Sequence, residues 1–290
     1  MTQSPKHLMV TDFDGTLYFR NQGISARDIK TLEMLGENDI LRVIATGRNL
    51  YSICKVLDEH FPVDYIVFSS GAGIMNWESK EIIKSSNLCP HQSIKAFNAL
   101  QSQKLDFCIQ EKIPRNHYFR YVKNNAENED FNKRISLYAE FASEIKPDEF
   151  RAMTYCQMIA ITDNQIGKSL FPEIVNELKD LKVIRSTSPL DGKSFWIEIF
   201  NPKVSKANGS KFIASIHQID NENIMALGND YNDIDLLRWA YYPCILDNAP
   251  VEMKQEFHLI HSAKNKGLSL AVESWFGSLP NLTVDSRSRL

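Results

Sequence analysis

Residues 11–17 read TDFDGTL, and they follow directly on a short apolar run. The apolar run predicts a buried strand, and open α/β sheets bind ligands at the carboxyl ends of their strands. Asp12 and Asp14 are separated by one residue, so both carboxylates can reach one reacting centre, one as nucleophile and the other in proton transfer. Gly15 and Thr16 favour a sharp turn that leaves backbone N–H groups free for an anion. Taken alone, the stretch is also compatible with a polar turn that has no chemical role.

Alternating strand and helix patterns surround this stretch. The apolar runs that predict buried strands are residues 8–11, 40–45 and 65–68. Ser25 can cap a helix, with Asp28 as the second half of a weak capping box, and a further helix is predicted at about residues 49–59. A hairpin is predicted at residues 74–83. Strands separated by helices predict a parallel sheet that is covered on both faces.

The pattern changes near residue 85 and returns near residue 200. In between, helices are predicted at about residues 93–103, 129–143 and 166–179, and strands near Phe107, Phe119, Met158, Val183 and at residues 195–199. The last of these strands alternates apolar and polar residues, as a half-buried strand would. Buried strands are predicted again at residues 224–227, 244–246 and 258–260. The expected fold is α/β, a Rossmann-like doubly wound parallel core formed by residues 1–84 and 200–290, with an inserted α+β domain at residues 85–199.

Composition excludes several classes of protein. The chain has 290 residues, enough for two domains, and a net charge of −3 with no basic block, which argues against a general nucleic-acid binder. No apolar run approaches the roughly 18–20 residues that span a bilayer. The five cysteines are scattered without a CxxC pair, which favours reduced thiols over disulfides or a zinc site. We therefore expect a cytoplasmic protein without a membrane or nucleic-acid partner; the sequence gives no oligomeric state, and a monomer is compatible with it.

Two further features can bind phosphate. Thr46 and Gly47, with Arg48 after them, follow the second predicted strand directly, and a hydroxyl with a turn N–H at a strand end can cradle a phosphate oxygen. Lys206 begins a predicted helix after the core pattern returns, where it can neutralise both a carboxylate and a phosphate. Each feature is weak alone, since a surface lysine is common.

Oxygen-bearing side chains follow a later strand, in the stretch GNDYNDID at residues 228–235. Carboxylate and amide oxygens at a strand end suit Mg²⁺. Acidic residues also stabilise the first turn of a helix, which is the alternative explanation. The occurrence of four such clusters, each at a strand end or helix start, favours a common catalytic site.

The order of these clusters resembles the haloacid dehalogenase superfamily. Asp-Phe-Asp-Gly-Thr, Thr-Gly-Arg, a lone lysine and an Asn/Asp cluster occur in that order along nearly the whole chain. The long insertion between Thr46 and Lys206 is similar to the Cof-like sugar-phosphatase branch, which carries its cap domain there. Residues 70–73 and 247–249 also resemble turns of that branch.

The resemblance implies a role for each matching residue. Asp12 is similar to the nucleophile and Asp14 to the general acid/base. The residues implied in phosphate binding are Thr46, Gly47, Lys206 and Asn232. The residues implied in Mg²⁺ binding are Asp12, Asp14 through its backbone carbonyl, Asn229, Asp230 and Asp233. The family pattern usually has Asp where this chain has Asn229, so either Asn229 binds through its amide oxygen or Asp230 takes its place.

The expected function is a Mg²⁺-dependent phosphatase that hydrolyses a small phosphorylated metabolite, such as a sugar phosphate, through an aspartyl-phosphate. An acid at Asp14 favours phosphate esters, because an alkoxide leaving group needs a proton. Two alternatives remain open: a phosphomutase or phosphotransferase with the same motifs, and a catalytically weak phosphate-ligand sensor, which Asn229 suggests. In the insertion, four residues either contact the substrate or form an exposed turn: Arg115, His117, Tyr118 and Arg120.

Overall fold

The computed structural model describes residues 5–261 and 266–278, which form two sheets with helices on their faces. The strands are β1 (His7–Thr11), β2 (Ile40–Ala45), β3 (Tyr65–Phe68), β4 (Gly73–Asn76), β5 (Ile82–Ser85), β6 (Asp106–Glu111), β7 (Phe119–Val122), β8 (Ala142–Glu144), β9 (Tyr155–Thr162), β10 (Lys182–Thr187), β11 (Phe195–Phe200), β12 (Ile224–Gly228), β13 (Tyr242–Leu246) and β14 (His258–Ile260). The helices are α1 (Ala26–Glu37), α2 (Leu50–Cys54), α3 (Pro90–Ser102), α4 (Glu129–Leu137), α5 (Asn164–Glu177), α6 (Lys206–Ile216), α7 (Ile234–Trp239) and α8 (Gly267–Ser278). No described helix is long and apolar enough to cross a membrane.

The larger sheet has the strand order β14-β13-β12-β1-β2-β3-β4-β5. All pairs from β14 to β3 are parallel, and the hairpin of β4 and β5 completes the sheet in antiparallel pairing. The chain starts in the middle of the sheet and builds it in both directions, which confirms the doubly wound α/β core.

Strand β1 shows why both faces of this sheet are covered. Successive side chains of a strand point to opposite faces. Met9 therefore packs in a cluster with residues of α1 and α8, whereas Leu8 and Val10 pack in a second cluster with residues of α6 and α7. Every residue of β1 after His7 is buried, as expected for a strand between two helix layers.

The second sheet is built entirely by the segment inserted between β5 and α6. Its strand order is β10-β11-β9-β6-β7-β8, and all pairs are antiparallel except β7 with β8. Helices α3 and α5 cover one face of this sheet. Helix α4 covers part of the other face. The rest of that face lines a cavity together with loops at the carboxyl edge of the larger sheet. We call residues 86–200, from the end of β5 to the end of β11, the inserted segment.

Two predicted helices are shorter than expected. Helix α2 ends at Cys54, because the N–H groups of Val56 and Leu57 both bond the carbonyl of Ile53 and tighten the chain into a turn. Helix α4 ends at Leu137 instead of near residue 143, since residues 142–144 pair with β7 as an edge strand. At the end of α4, pairing with β7 thus outweighs the helical pattern.

Two local predictions were wrong in an informative way. Ser25 caps α1 as expected, but the carboxylate of Asp28 does not return to the cap; it accepts hydrogen bonds from the N–H and hydroxyl of Ser269 in α8. Strand β11, expected to be half-buried, is buried along its whole length. Phe195, Ile197 and Ile199 pack in the cluster with α3 and α5, while Trp196 and Glu198 lie on the opposite side.

Candidate active site

The predicted site residues meet at the carboxyl edge of the larger sheet. Strands β13, β12, β1 and β2 are parallel neighbours, so the loops that follow them lie side by side. A cavity of about 850 Å³ opens there, between this edge and the exposed part of the inserted sheet. The predicted residues that line it are Asp12, Asp14, Gly47, Asn229, Asp230 and Asn232.

Lys206 lies at the first position of α6, beneath the floor of this cavity. Its ammonium donates to Asp12 Oδ1 at 2.5 Å and to Asp233 Oδ1 at 2.6 Å, and it is fully buried. A third, longer bond of 3.3 Å reaches Asn232 Oδ1. Burial alone would lower the pKa of Lys206, but the two carboxylates outweigh burial and raise it. Lys206 is therefore a fixed positive charge beside Asp12.

Asp12 has an unusual balance of charges around it. Burial and, next, the neighbouring carboxylate of Asp233 raise the pKa of Asp12 to about 7, while Lys206 acts in the opposite direction. One lysine thus serves two carboxylates. The two carboxylates together carry one more charge than the lysine can offset. This excess of negative charge favours the binding of a cation.

Asp14 is held by a residue whose role the sequence did not reveal. Arg48 donates from Nε to Asp14 Oδ2 at 2.8 Å and from Nη2 to Oδ1 at 2.7 Å. The same guanidinium lies 5.1 Å from the ring centres of Phe13 and Tyr18. The Asp14 carboxylate is consequently fixed at the cavity wall by a bidentate pair.

Gly15 makes the sharp turn after Asp14 possible. Its φ is +76°, a conformation that residues with a side chain rarely adopt. A Cβ at this position would also lie 2.6 Å from the amide nitrogen of Asn229. The predicted turn is therefore present, and it brings the loop after β1 against the loop after β12.

Thr46 and Gly47 differ in their access to the cavity. Gly47 lines it, whereas Thr46 is fully buried and its hydroxyl accepts a hydrogen bond from the backbone N–H of Arg48. Asn232, on the opposite loop, also lines the cavity. Thr46 thus shapes the turn that presents Gly47 and Arg48.

The three candidate metal ligands after β12 have different surroundings. Asp233 is buried; its Oδ2 accepts from the N–H groups of Asn229 at 2.9 Å and Asp230 at 3.1 Å, while its Oδ1 accepts from Lys206. The Asp230 carboxylate accepts from the backbone N–H of Thr187 at 2.9 Å and from its hydroxyl at 3.1 Å. Asn229 Oδ1 accepts from the Thr16 hydroxyl at 3.0 Å, beside the Asp12 loop.

The donors available to a cation are therefore oxygens of mixed type. The described part of the chain has no group of three or more His, Cys, Asp or Glu side chains placed to hold a metal. The Asp12 carboxylate, the Asp14 carbonyl and the Asn229 amide oxygen come instead from two adjacent loops. Such hard, partly neutral oxygens fit Mg²⁺, which commonly keeps several waters.

The part of the inserted segment singled out from sequence does not reach the cavity. None of its four residues lines the cavity, and one of them, His117, stacks its ring on Tyr51 at 4.8 Å. The cavity wall is formed instead by polar side chains of the inserted sheet and of α4 that sequence reasoning missed: Gln110, Arg134, Gln157, Ser186, Trp196 and Glu198. The alternation within residues 195–199 was the available signal, since it placed Trp196 and Glu198 on one face.

Comparison with known families decides the membership of the chain. The model of the haloacid dehalogenase-like hydrolases matches residues 9–271. The chain belongs to this family. The match takes in both parts of the larger sheet and the inserted segment, so the resemblance inferred from the motifs is confirmed.

Relatives of this hydrolase are distant but span nearly all of it. A protein of Buchnera aphidicola subsp. Schizaphis graminum is 25% identical over 276 residues, which are 93% of this chain and 95% of that protein. The 5-amino-6-(5-phospho-D-ribitylamino)uracil phosphatase YwtE of Bacillus subtilis is 24% identical over 272 residues, 84% of this chain and 89% of that protein.

Solved structures show the same fold. The phosphatase BT1666 from Bacteroides thetaiotaomicron superposes with a TM-score of 0.75 at 19% identity, over 94% of this chain and 96% of that chain. The subclass IIB sugar phosphatase BT4131 superposes with a TM-score of 0.73 at 19% identity, over 93% and 98% of the two chains. This hydrolase therefore has the fold of the family, inserted sheet included.

Proposed function

We propose that this hydrolase is a Mg²⁺-dependent phosphatase that cleaves a small phosphate monoester, a sugar phosphate being the first class to test, through an aspartyl-phosphate on Asp12. The observation that carries the proposal is the 2.5 Å bond between Lys206 and Asp12 at the floor of a cavity of about 850 Å³. The name of the related Bacillus protein, a phosphatase of a phosphorylated ribityl compound, supports an ester of this kind.

In the first half-reaction, an Asp12 oxygen forms a bond to phosphorus as the bond from phosphorus to the ester oxygen breaks. Lys206 fixes the Asp12 carboxylate and offsets negative charge at the reacting centre. For this step Asp14 is protonated and one of its two oxygens is released from Arg48, and it gives its proton to the departing oxygen, which leaves as an alcohol.

In the second half-reaction, water replaces Asp12 on phosphorus. Asp14, now a carboxylate, takes a proton from that water. The Asp12–phosphorus bond breaks, and inorganic phosphate and the original carboxylate are regenerated. Gly47 and Asn232 line the cavity and are proposed to bind phosphoryl oxygens, with Thr46 shaping the turn from beneath.

For the metal, we propose Asp12, the Asp14 carbonyl and Asn229 as the protein ligands. When bound, Mg²⁺ would supply positive charge that favours ionised Asp12 and balances the phosphoryl oxygens. We assign Asp230 and Asp233 other roles. Asp230 already accepts two hydrogen bonds from Thr187, and Asp233 holds Lys206 and the loop backbone.

We further propose that residues 85–199 act as a cap over a core formed by residues 1–84 and 200–290. The inserted segment contacts the core near the site through the Thr187 bonds to Asp230 and through Arg185, which lies 3.5 Å from the ring centre of Tyr231. Lys182 and Asp235 form an ion pair across the same boundary. The cap closes the cavity from the side opposite Asp12.

A panel of phosphate esters tests the proposal. With Mg²⁺ present, the wild-type protein should release inorganic phosphate from at least one ester, and Asp12→Asn should release none. Faster transfer to an added sugar than to water would instead favour a phosphotransferase or mutase. If esters stabilise the protein on binding but no phosphate is released from any of them, a phosphate-ligand sensor is favoured and the proposal of phosphatase activity is overturned.

A further inference from the structure

One arginine of the cavity wall is buried. Arg134, on α4, is only 7% exposed, and it lines the same cavity as Asp12. It forms no salt bridge within residues 5–261 and 266–278, and its buried Nε has no hydrogen-bond partner. A buried charge without a hydrogen-bonded partner is costly, so an arginine of this kind in a cavity wall is a candidate for binding an anion.

Aromatic rings surround the guanidinium, and its Nε–H has no hydrogen-bond partner among the described residues. Arg134 lies 5.0 Å from the ring centre of Trp196, 5.4 Å from that of Tyr138 and 5.5 Å from that of Phe119. These contacts stabilise the cation and restrict its orientation. A fixed guanidinium can offer two parallel N–H donors to one carboxylate or phosphate.

The two nearby carboxylates are committed to other donors. Asp130, one turn earlier on α4, accepts from Trp196 Nε1 at 2.8 Å and from Ser188 at 2.9 Å. Glu198 accepts from Ser186 at 2.6 Å. Burial raises the pKa of Glu198, while the hydrogen bond from Ser186 and the charge of Arg134 act in the opposite direction.

We infer that Arg134 binds a second anionic group of the substrate, so that the preferred ester carries a carboxylate or a second phosphate besides the phosphate that is cleaved. The inference rests on the proposed function. The reacting phosphate would lie at Asp12 and Lys206, and the second anion at Arg134. Gln110 and Gln157 line the wall of the same cavity and can hydrogen-bond hydroxyl groups between the two ends.

Matched pairs of esters test this inference and separate the two sources of anion. The first pair is 6-phosphogluconate and glucitol 6-phosphate, open-chain esters that differ only in a carboxylate in place of a CH₂OH group. The second pair is fructose 1,6-bisphosphate and fructose 6-phosphate, which differ in a phosphate. The wild-type protein should have a kcat/KM at least about 10-fold higher for the doubly anionic member of one pair.

The variant Arg134→Gln should lower kcat/KM for that ester by about 10- to 100-fold, since a charged hydrogen-bonding pair is lost. The loss on p-nitrophenyl phosphate, which has no second anion, should be smaller. Arg134→Lys should be intermediate, because it keeps the charge without the bidentate geometry. Lys123→Gln is the control: it removes an exposed charge from the inserted segment, away from the cavity lining, and should change neither ratio.

Equal losses on both members of a pair, or no preference in the wild-type protein for either doubly anionic ester, would overturn the inference. If Arg134→Gln does not fold, the wild-type preference still decides. If no ester is hydrolysed at all, the phosphatase proposal fails separately, and binding tests the arginine. In that case 6-phosphogluconate or fructose 1,6-bisphosphate should raise the melting temperature more than its matched partner, in the wild-type protein only.

Discussion

Arg48 donates two hydrogen bonds to Asp14, of 2.8 and 2.7 Å, at the wall of the cavity that Asp12 also lines. The two residues are 34 positions apart in sequence and come from the ends of neighbouring strands. Arg48 touches no reacting atom in the proposed mechanism. It is a positioning residue, which holds the proposed proton donor in one rotamer.

Arg48→Lys keeps the charge but loses the bidentate geometry, so Asp14 should be less well placed. We expect kcat to fall about 10-fold or more for an alkyl phosphate, whose leaving oxygen needs a proton, and less for an aryl phosphate. Steady-state kinetics on both esters measures the difference. Arg42→Lys is the control, because Arg42 forms an equivalent bidentate pair with Asp64 away from the cavity. Equal losses on both esters would contradict the positioning role.

The two carboxylates of the first loop should fail in different ways. Asp12→Asn removes the nucleophile and should abolish turnover with every ester. Asp14→Asn should slow hydrolysis of a sugar phosphate by roughly 10²–10⁴-fold for each assisted step. With an activated aryl phosphate, Asp14→Asn should release a burst of aryl alcohol and accumulate protein with one added phosphoryl group. Mass spectrometry after acid quench detects this species, and its appearance in Asp12→Asn would refute the assignment.

Substitutions of the neighbouring residues Asn229 and Asp230 should differ in their effect on Mg²⁺ binding. Asn229→Asp should lower the Mg²⁺ concentration that gives half-maximal activity, because a charged oxygen binds a hard cation better. Asp230→Asn should leave that concentration unchanged. Thr187→Val, which removes only the hydroxyl donor to Asp230, should match Asp230→Asn in its Mg²⁺ dependence. A large shift for Asp230→Asn alone would place Asp230, and not Asn229, on the metal.

Removal of Lys206 should destabilise the fold as well as stop the reaction. Lys206→Met leaves the carboxylates of Asp12 and Asp233 buried without their shared cation, which should cost about 3–5 kcal/mol of unfolding free energy. The double variant Lys206→Met/Asp233→Asn should recover part of this loss without recovering activity. Urea denaturation of the three proteins measures the coupling. A double variant less stable than Lys206→Met would show that Asp233 acts mainly through the loop N–H groups.

Metal removal gives a further check. Chelation should abolish phosphate release, and Mg²⁺ should restore it. Ca²⁺ should inhibit, because it favours a looser geometry with more ligands. Melting temperature recorded in parallel separates loss of metal from loss of fold. Full activity in excess chelator would rule out the proposed cation.

The core could be predicted from sequence because its strands are buried on both faces. Continuous apolar runs marked β1, β2 and β3 at nearly the observed bounds. The clusters at their ends were found for the same reason, since a parallel sheet brings strand ends to one edge. The hydrogen-bond partner of each side chain could not be predicted. Asp230 bonds with Thr187 and Asp14 with Arg48, and both contacts join distant parts of the chain.

The inserted sheet was harder to predict from sequence, because one of its faces packs against helices and the other lines a cavity. One face packs against helices and shows the expected apolar residues. The other carries Glu198 and Gln157 into a cavity, where polar residues are buried without looking apolar in the sequence. The polar residues of the stretch 115–120 were instead the predicted candidates for substrate contact, although none of the four lines the cavity.

The order of the two sheets along the chain has an evolutionary consequence. Every side chain assigned to bond cleavage comes from residues before 85 or after 199, while Arg134, Trp196 and Glu198 come from the interval between them. Under the proposed roles, mutation or replacement of that whole interval would change substrate selection and leave the reaction the same. A lineage with this arrangement would then acquire new substrates through mutations in one contiguous stretch of its gene.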